Sequence, residues 1–274
     1  RNRRVLSQNQ KLSSYEILED RKLRLIYQEA IDEAGLPLPI RTEILVELNG
    51  EEASFSMSID NQTDCVVEEV AYPCLGGFSH PEGEKPFTAS TAHFQGGMTS
   101  FSLSDGFPNP DYWGTDWPTV YRTYPMPEVS APFILYTSDT QGIYVGVHDV
   151  KPNLVSFVHE YKPGYSDSKH SRLQRDGEID GVPAGFCMSV TRLPFIASKE
   201  KLELPPVVIS LFTGDWHQGL EPYLNWRKTW FQPVPRPQWV DDADCWITLH
   251  INSPEDCCRY RYTDLPELMR DAKK

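Results

Sequence analysis

Hydrophobic and polar positions alternate along most of this chain. The clearest case is Ala53-Ser54-Phe55-Ser56-Met57-Ser58-Ile59, where apolar residues take turns with serine. Side chains alternate across a strand, so this pattern predicts one core face and one wet face. The stretch Ile44–Leu48 precedes it, and Asn49-Gly50 between them is a dipeptide suited to a tight hairpin turn. Further short strands are predicted over residues 66–72, 133–137, 142–147, 155–160, 187–193 and 207–212, with Gly, Pro, Asn and Asp in the gaps. Before residue 213 few stretches have a helical period, and the chain carries 23 prolines. The predicted fold class is therefore mainly β, a large antiparallel β-sandwich.

The period then changes. Trp216, Leu220, Tyr223, Leu224 and Arg227 fall on one stripe of a helix, with Trp226 and Trp230 on an adjacent stripe. Thr213-Gly214-Asp215 supplies N-cap side chains. Such a helix needs cover on more than one side. Pro233, Pro235 and Pro237 forbid its continuation and favour a stiff extended linker. Beyond the linker, Trp246-Ile247-Thr248-Leu249-His250-Ile251 reads as an apolar strand and residues 252–256 as a polar loop. A helix follows from Asp264, with Asp264 and Glu267 spaced as a capping box and Pro266 in the first turn. Strand, loop and helix make the first unit of a (β/α)₈ barrel, a fold of eight such units and about 250 residues. The expected organisation is a frayed start at 1–14, a sandwich at 15–212, a linker helix and Pro-rich linker at 213–240, and the start of a barrel at 241–274.

Net charge is −13, which disfavours nucleic acid and anionic lipid as partners. No run approaches the roughly 18 apolar residues of a membrane span, and no signal peptide is visible. The six cysteines include no C-x-x-C pair and no zinc spacing. They read as buried thiols of a reducing, cytoplasmic setting, and neither a metal nor a cofactor is expected. Asn61-Gln62-Thr63 matches a glycosylation acceptor, a triplet that is common by chance.

Two stretches carry a family resemblance. One is Gly214-Asp215-Trp216-His217-Gln218-Gly219 with Tyr223 and Trp226. The other is Ile251-Asn252-Ser253-Pro254-Glu255-Asp256 with Arg259-Tyr260-Arg261-Tyr262 and Asp264-Leu265. In these, and in the order of its parts, the chain resembles bacterial glycoside-hydrolase-like proteins with a galactose-mutarotase-like sandwich ahead of a (β/α)₈ barrel. The resemblance implies a carbohydrate substrate. It transfers no catalytic residue, because the acid and the nucleophile or base of such families sit on later barrel strands.

Two clusters are candidate sugar contacts. In Asp111-Tyr112-Trp113-Gly114-Thr115-Asp116-Trp117, aromatic faces suit the C–H faces of a sugar and the acids suit its hydroxyls; the same tryptophans could pin a loop to the core. Asn252, Glu255 and Asp256 follow the expected barrel strand, where barrel active faces are built; they could equally cap a turn and pair with Arg259 or Arg261. His148-Asp149 closes a strand, and His217 opens the Trp-rich helix. A lone histidine is more often a satisfied hydrogen-bonding group than a catalyst.

Three functions fit. The leading one is the N-terminal part of a glycoside-hydrolase-like protein, whose sandwich supports the barrel and lends one side of a sugar cleft. The second is a non-catalytic carbohydrate-binding module. The third is an assembly domain whose barrel unit docks on another chain, the partner being the remaining barrel portion or a second copy.

Overall fold

The computed structural model describes residues 2–78, 82–85, 87–102, 119–162, 185–242 and 260–272. The strands are β1 (Ser14–Glu19), β2 (Lys22–Tyr27), β3 (Ala30–Ile31), β4 (Pro37–Leu38), β5 (Ile40–Asn49), β6 (Glu52–Asn61), β7 (Val70–Phe78), β8 (Thr88–Ala92), β9 (Met98–Ser102), β10 (Thr119–Tyr124), β11 (Phe133–Thr137), β12 (Gln141–Val147), β13 (Val155–Lys162), β14 (Gly185–Arg192) and β15 (Glu200–Thr213). Nine form one antiparallel sheet in the order β1-β2-β5-β6-β15-β12-β11-β8-β9, and four form a second, β10-β13-β14-β7. The fold is mainly β, as the alternation predicts.

The central strands of the large sheet are apolar on both faces. Ile134, Tyr136, Val145, Val147 and Val207 point inward and meet Val155, Phe157, Met188 and Val190 of the small sheet. Phe133, Leu135, Tyr144, Val208 and Phe212 point the other way, toward Leu220 and Tyr223. Two short helices, α1 (Trp216–Gly219) and α2 (Glu221–Trp230), supply that cover. Three layers result: small sheet, large sheet, helix. The chain divides into two compact units, residues 1–230 and 231–274, and the helices belong to the first. The second contains α3 (Gln238–Asp241) and α4 (Leu265–Ala272). Residues 231–237 carry neither helix nor strand. The expected barrel strand, residues 246–251, lies outside the described residues.

Several expectations are corrected in detail. The β5–β6 hairpin closes at the pair Asn49 and Glu52, so its two-residue loop is Gly50-Glu51 rather than Asn49-Gly50. Gly50 has a φ of +63°, and a positive φ at the first loop position is what a type II′ turn requires. Pro73 lies inside β7 instead of ending the preceding strand. It is tolerated because β7 is an edge strand whose register slips between Ser189 and Thr191 of its neighbour. Pro205-Pro206 sits likewise at the register shift of β15, between Leu204 and Val207. The Trp-rich segment is two helices because Pro222 has no N–H to offer the Gln218 carbonyl. In the last helix, Asp264 accepts the Arg261 amide at 2.9 Å and belongs to a short 3₁₀ turn, Tyr262–Asp264; the expected box with Glu267 does not form. Of the cysteines expected to be buried, Cys65 and Cys74 are exposed and Cys187 is half-buried; Cys74 sits on the edge strand β7, where little covers it.

Asn61 is fully buried. Its amide donates to the carbonyls of Cys65 (2.8 Å) and Ala197 (2.9 Å), and its Oδ1 accepts the Thr63 hydroxyl at 2.7 Å. It ties the end of β6 to the loop before β15, and in the folded chain no oligosaccharyltransferase could reach it. Asn61→Ala leaves buried carbonyls without donors and should cost about 1–3 kcal/mol, read as a lower denaturant midpoint. Folded protein passed through a eukaryotic secretory host should carry no glycan at this triplet; a glycan that survives in folded protein would contradict this role.

Candidate functional site

The outer face of the large sheet and the helices on it carry the chemistry. One row runs across four paired strands: Leu135, Tyr144, Ser210 and Glu52. Opposed residues share a face, so all four point toward the helices. Along β12, Tyr144, Gly146 and His148 share that face at spacings of two. The Tyr144 ring folds over Gly146. A β-carbon there would lie 1.9 Å from the Tyr144 hydroxyl, so only glycine fits. The hydroxyl reaches Nε2 of His148 at 3.0 Å. The other side of the imidazole is stacked on Trp226, with ring centres 4.7 Å apart and planes 13° from parallel.

Trp226 continues an aromatic ladder. Tyr223 lies 5.8 Å from it and Trp230 5.2 Å, both tilted. Tyr223 also packs on Phe133 of the sheet at 4.9 Å. Trp216, Leu224 and Trp230 remain about 40% exposed. Of the predicted stripe Trp216, Leu220, Tyr223, Leu224 and Arg227, Leu220 and Tyr223 pack on the sheet core, and Trp226 of the adjacent stripe stacks on His148.

The helix start is fixed by its cap. Asp215 accepts the His217 amide at 2.8 Å, and Gln218 accepts the Asp215 amide at 3.1 Å, a reciprocal capping box. Asp215 also accepts Nδ1 of His217 at 2.8 Å. The His217 amide and ring hold the Asp215 carboxyl below its usual range. Gly219 lets the helix settle on Phe212, whose ring would be 2.7 Å from a β-carbon there. The motif Gly214–Gly219 therefore builds the junction of sheet and helix.

Along the other flank of α2 is a groove of about 580 Å³, lined among others by Glu51, Glu52, Ser210, Gln218, Glu221 and Asn225 and by none of the ladder's rings. Carboxylates accept hydrogen bonds from hydroxyls, and amides both donate and accept them. Such a groove can hydrogen-bond the hydroxyls of a polyhydroxylated ring. A larger hollow of about 1460 Å³ lies against the start of the chain. No aromatic side chain lines it, and its buried acid is already committed: Asp32 accepts the amides of Ala34 (2.9 Å) and Leu36 (2.8 Å).

Burial sets the protonation of this region. It lowers the His148 pKa to about 4 and holds the Tyr144 hydroxyl well above its ordinary value, with Tyr223 and Glu52 adding to the rise. The Tyr144–His148 pair is therefore neutral at neutral pH. A second buried pair bridges the two sheets: the Tyr136 hydroxyl meets Nε2 of His159 at 2.7 Å, and burial brings His159 to about 4 as well. No group of three His, Cys, Asp or Glu among the described residues is placed to hold a metal ion.

The candidate residues Asp111, Tyr112, Trp113, Asp116 and Trp117, and Asn252, Glu255 and Asp256, all lie outside the described residues. The described strands locate only their flanks: residue 102 ends β9 and residue 119 opens β10, edge strands of the two sheets. The sequence reading missed the groove. Its residues come from the β5–β6 hairpin, β15 and the helices, which no local spacing connects.

No protein-family model and no curated protein matches the chain. Among solved structures it is similar to the galactosidase domain of the alpha-galactosidase–sucrose kinase AgaSK: 14% identity, 78% of this chain and 27% of that one covered, TM-score 0.42. It is similar also to the alpha-galactosidase from Lactobacillus brevis, with 8% identity, 82% and 28% covered and a TM-score of 0.42. A third is a provisionally assigned aldose 1-epimerase from Escherichia coli K12, with 11% identity, 73% and 68% covered and a TM-score of 0.36. The chain spans less than a third of the length of the two galactosidases. Likenesses this distant carry no argument about this chain.

Both buried histidines make stability depend on pH. Unfolded, they bind protons near pH 6.5; folded, only near pH 4. The unfolded state therefore holds more protons in that window, and stability falls as pH drops through it. Melting temperature should be flat above about pH 7 and should decline toward pH 4, and His159→Gln should flatten part of the slope. An equally steep decline in the variant would remove His159 from the cause.

Proposed function

We propose that this chain is a carbohydrate-binding sandwich forming the N-terminal part of a glycoside-hydrolase-like protein. The sandwich supports a barrel and lends one side of a sugar cleft. Two observations carry this: the Tyr223–Trp226–Trp230 ladder on α2 and the acid-and-amide groove along the other flank of the same helix. The half-exposed Trp216 and Leu224 add apolar surface on the same pair of helices. In this reading Asp111, Tyr112, Trp113, Asp116 and Trp117 provide a second aromatic face for the sugar. Asn252, Glu255 and Asp256 remain candidate sugar contacts in this reading.

One observation favours the narrower alternative, a non-catalytic binding module. The groove is built wholly from residues 49–225, so it needs no later carboxylate to bind. A glycan array followed by calorimetry tests both. The chain should bind a neutral saccharide weakly, near millimolar, and Trp113→Ala and Trp226→Ala should each weaken binding several-fold with the circular dichroism unchanged. Binding to no neutral glycan would end both readings. Saccharide binding without hydrolysis, in a protein that includes a complete barrel, would favour the module.

A further inference from the structure

The edge strand β1 carries the features of a self-association surface. It pairs with β2 on one side and is the terminal strand of the nine-stranded sheet. All six of its residues are exposed, Tyr15 at 64% and Ile17 at 72%. An exposed apolar edge presents backbone donors and acceptors to any extended chain, and folded proteins cover or blunt such edges. The partner's chemistry can be read from the segment Lys11-Leu12-Ser13-Ser14-Tyr15-Glu16-Ile17-Leu18-Glu19, which set against its own reverse matches Lys11 with Glu19, Leu12 with Leu18 and Tyr15 with Tyr15.

We infer that a second copy of this chain pairs antiparallel along β1, about a two-fold axis at Tyr15. In that register Tyr15 faces the partner's Tyr15. Ser14 faces the partner's Glu16, and Ser13 the partner's Ile17. Leu12 comes beside the partner's Leu18, and Lys11 within reach of the partner's Glu19. Every contact but the Tyr15 pair on the axis occurs twice, as a two-fold requires. Aromatic and opposite-charge pairs across strands are favourable, and like charges directly opposed are not. Charge therefore selects this register over one centred on Glu16, which would oppose two glutamates. Glu16 already has an ion-pair partner in its own sheet, Arg24 at 2.9 Å, so it enters the contact neutralised. The irregular register between Ile17 and Glu19 confines the regular ladder to Ser13–Ile17, with the Leu12–Leu18 and Lys11–Glu19 contacts at its two flanks.

The test is a charge swap read by sedimentation equilibrium on the full chain. The unaltered chain should dimerise with a dissociation constant at or below about 100 µM. Lys11→Glu should weaken it about tenfold or more, because two glutamate pairs then oppose, and Glu19→Lys should do the same with lysines. The double variant K11E/E19K restores opposite charge in both contacts and should recover the dimer. Ile17→Lys should give a monomer with an unchanged melt. Hydrogen exchange should slow, as concentration rises, at the β1 amides that point away from β2. A chain that stays monomeric well above 100 µM would overturn the inference, and so would a dimer indifferent to Lys11→Glu or a double variant no tighter than the single ones.

Discussion

The structure depends on a sheet that must be covered twice. In β11, β12 and β15, consecutive residues are apolar, and consecutive residues of a strand face opposite ways. Phe133 and Ile134, Tyr144 and Val145, and Val207 and Val208 are such pairs, and one member of each enters each core. The small sheet buries one set. The other set would lie in water without α1 and α2. The helices are thus part of the fold of the first unit, and the Trp-rich motif is where the chain turns back to supply that layer.

This constraint also creates the candidate site. A helix crossing a sheet touches it along a line and leaves space to either side. On one side of the line the sheet offers Tyr144 and His148, and the helix answers with Trp226. On the other it offers Glu52 and Ser210, and the helix answers with Glu221 and Asn225. Gly146 connects the two effects, because its missing side chain lets the Tyr144 hydroxyl reach His148. His148 was already visible in the sequence as the residue closing a strand. Its environment was not, since that required knowing which helix residue lands on it.

How much was legible follows from which signals are local. Strands with their own alternation or apolar run, such as β6, β11 and β12, were recovered almost to the residue. β1, β2 and β8–β10 were missed. β1 and β2 mix Glu, Lys and Arg with Leu, Ile and Tyr because one of their faces carries cross-strand ion pairs, Lys22 with Glu47 and Arg24 with Glu16. Strand ends were misplaced where proline was read as a stop, at Pro73 and at Pro205-Pro206. Proline ends a strand only where its N–H is needed, and an edge or a register slip removes that need. The capping residue Asp215 was legible from sequence; the break at Pro222 was not, because first-turn proline and helix interruption look alike until the neighbouring helix is placed.

The aromatic residues divide by the same logic into those the fold consumes and those it leaves available. Tyr136 and Tyr144 are fully buried, and their hydroxyls are each matched to a histidine. Burial of an aromatic with a polar tip costs free energy unless the tip finds such a partner. Trp216 and Trp230 have no comparable burial. They stay about 40% exposed, on the two helices that also line the polar groove. A fold that needed the helix only as a lid would be served by Leu220 and Tyr223. The large rings on its outer side go beyond what cover of the sheet requires.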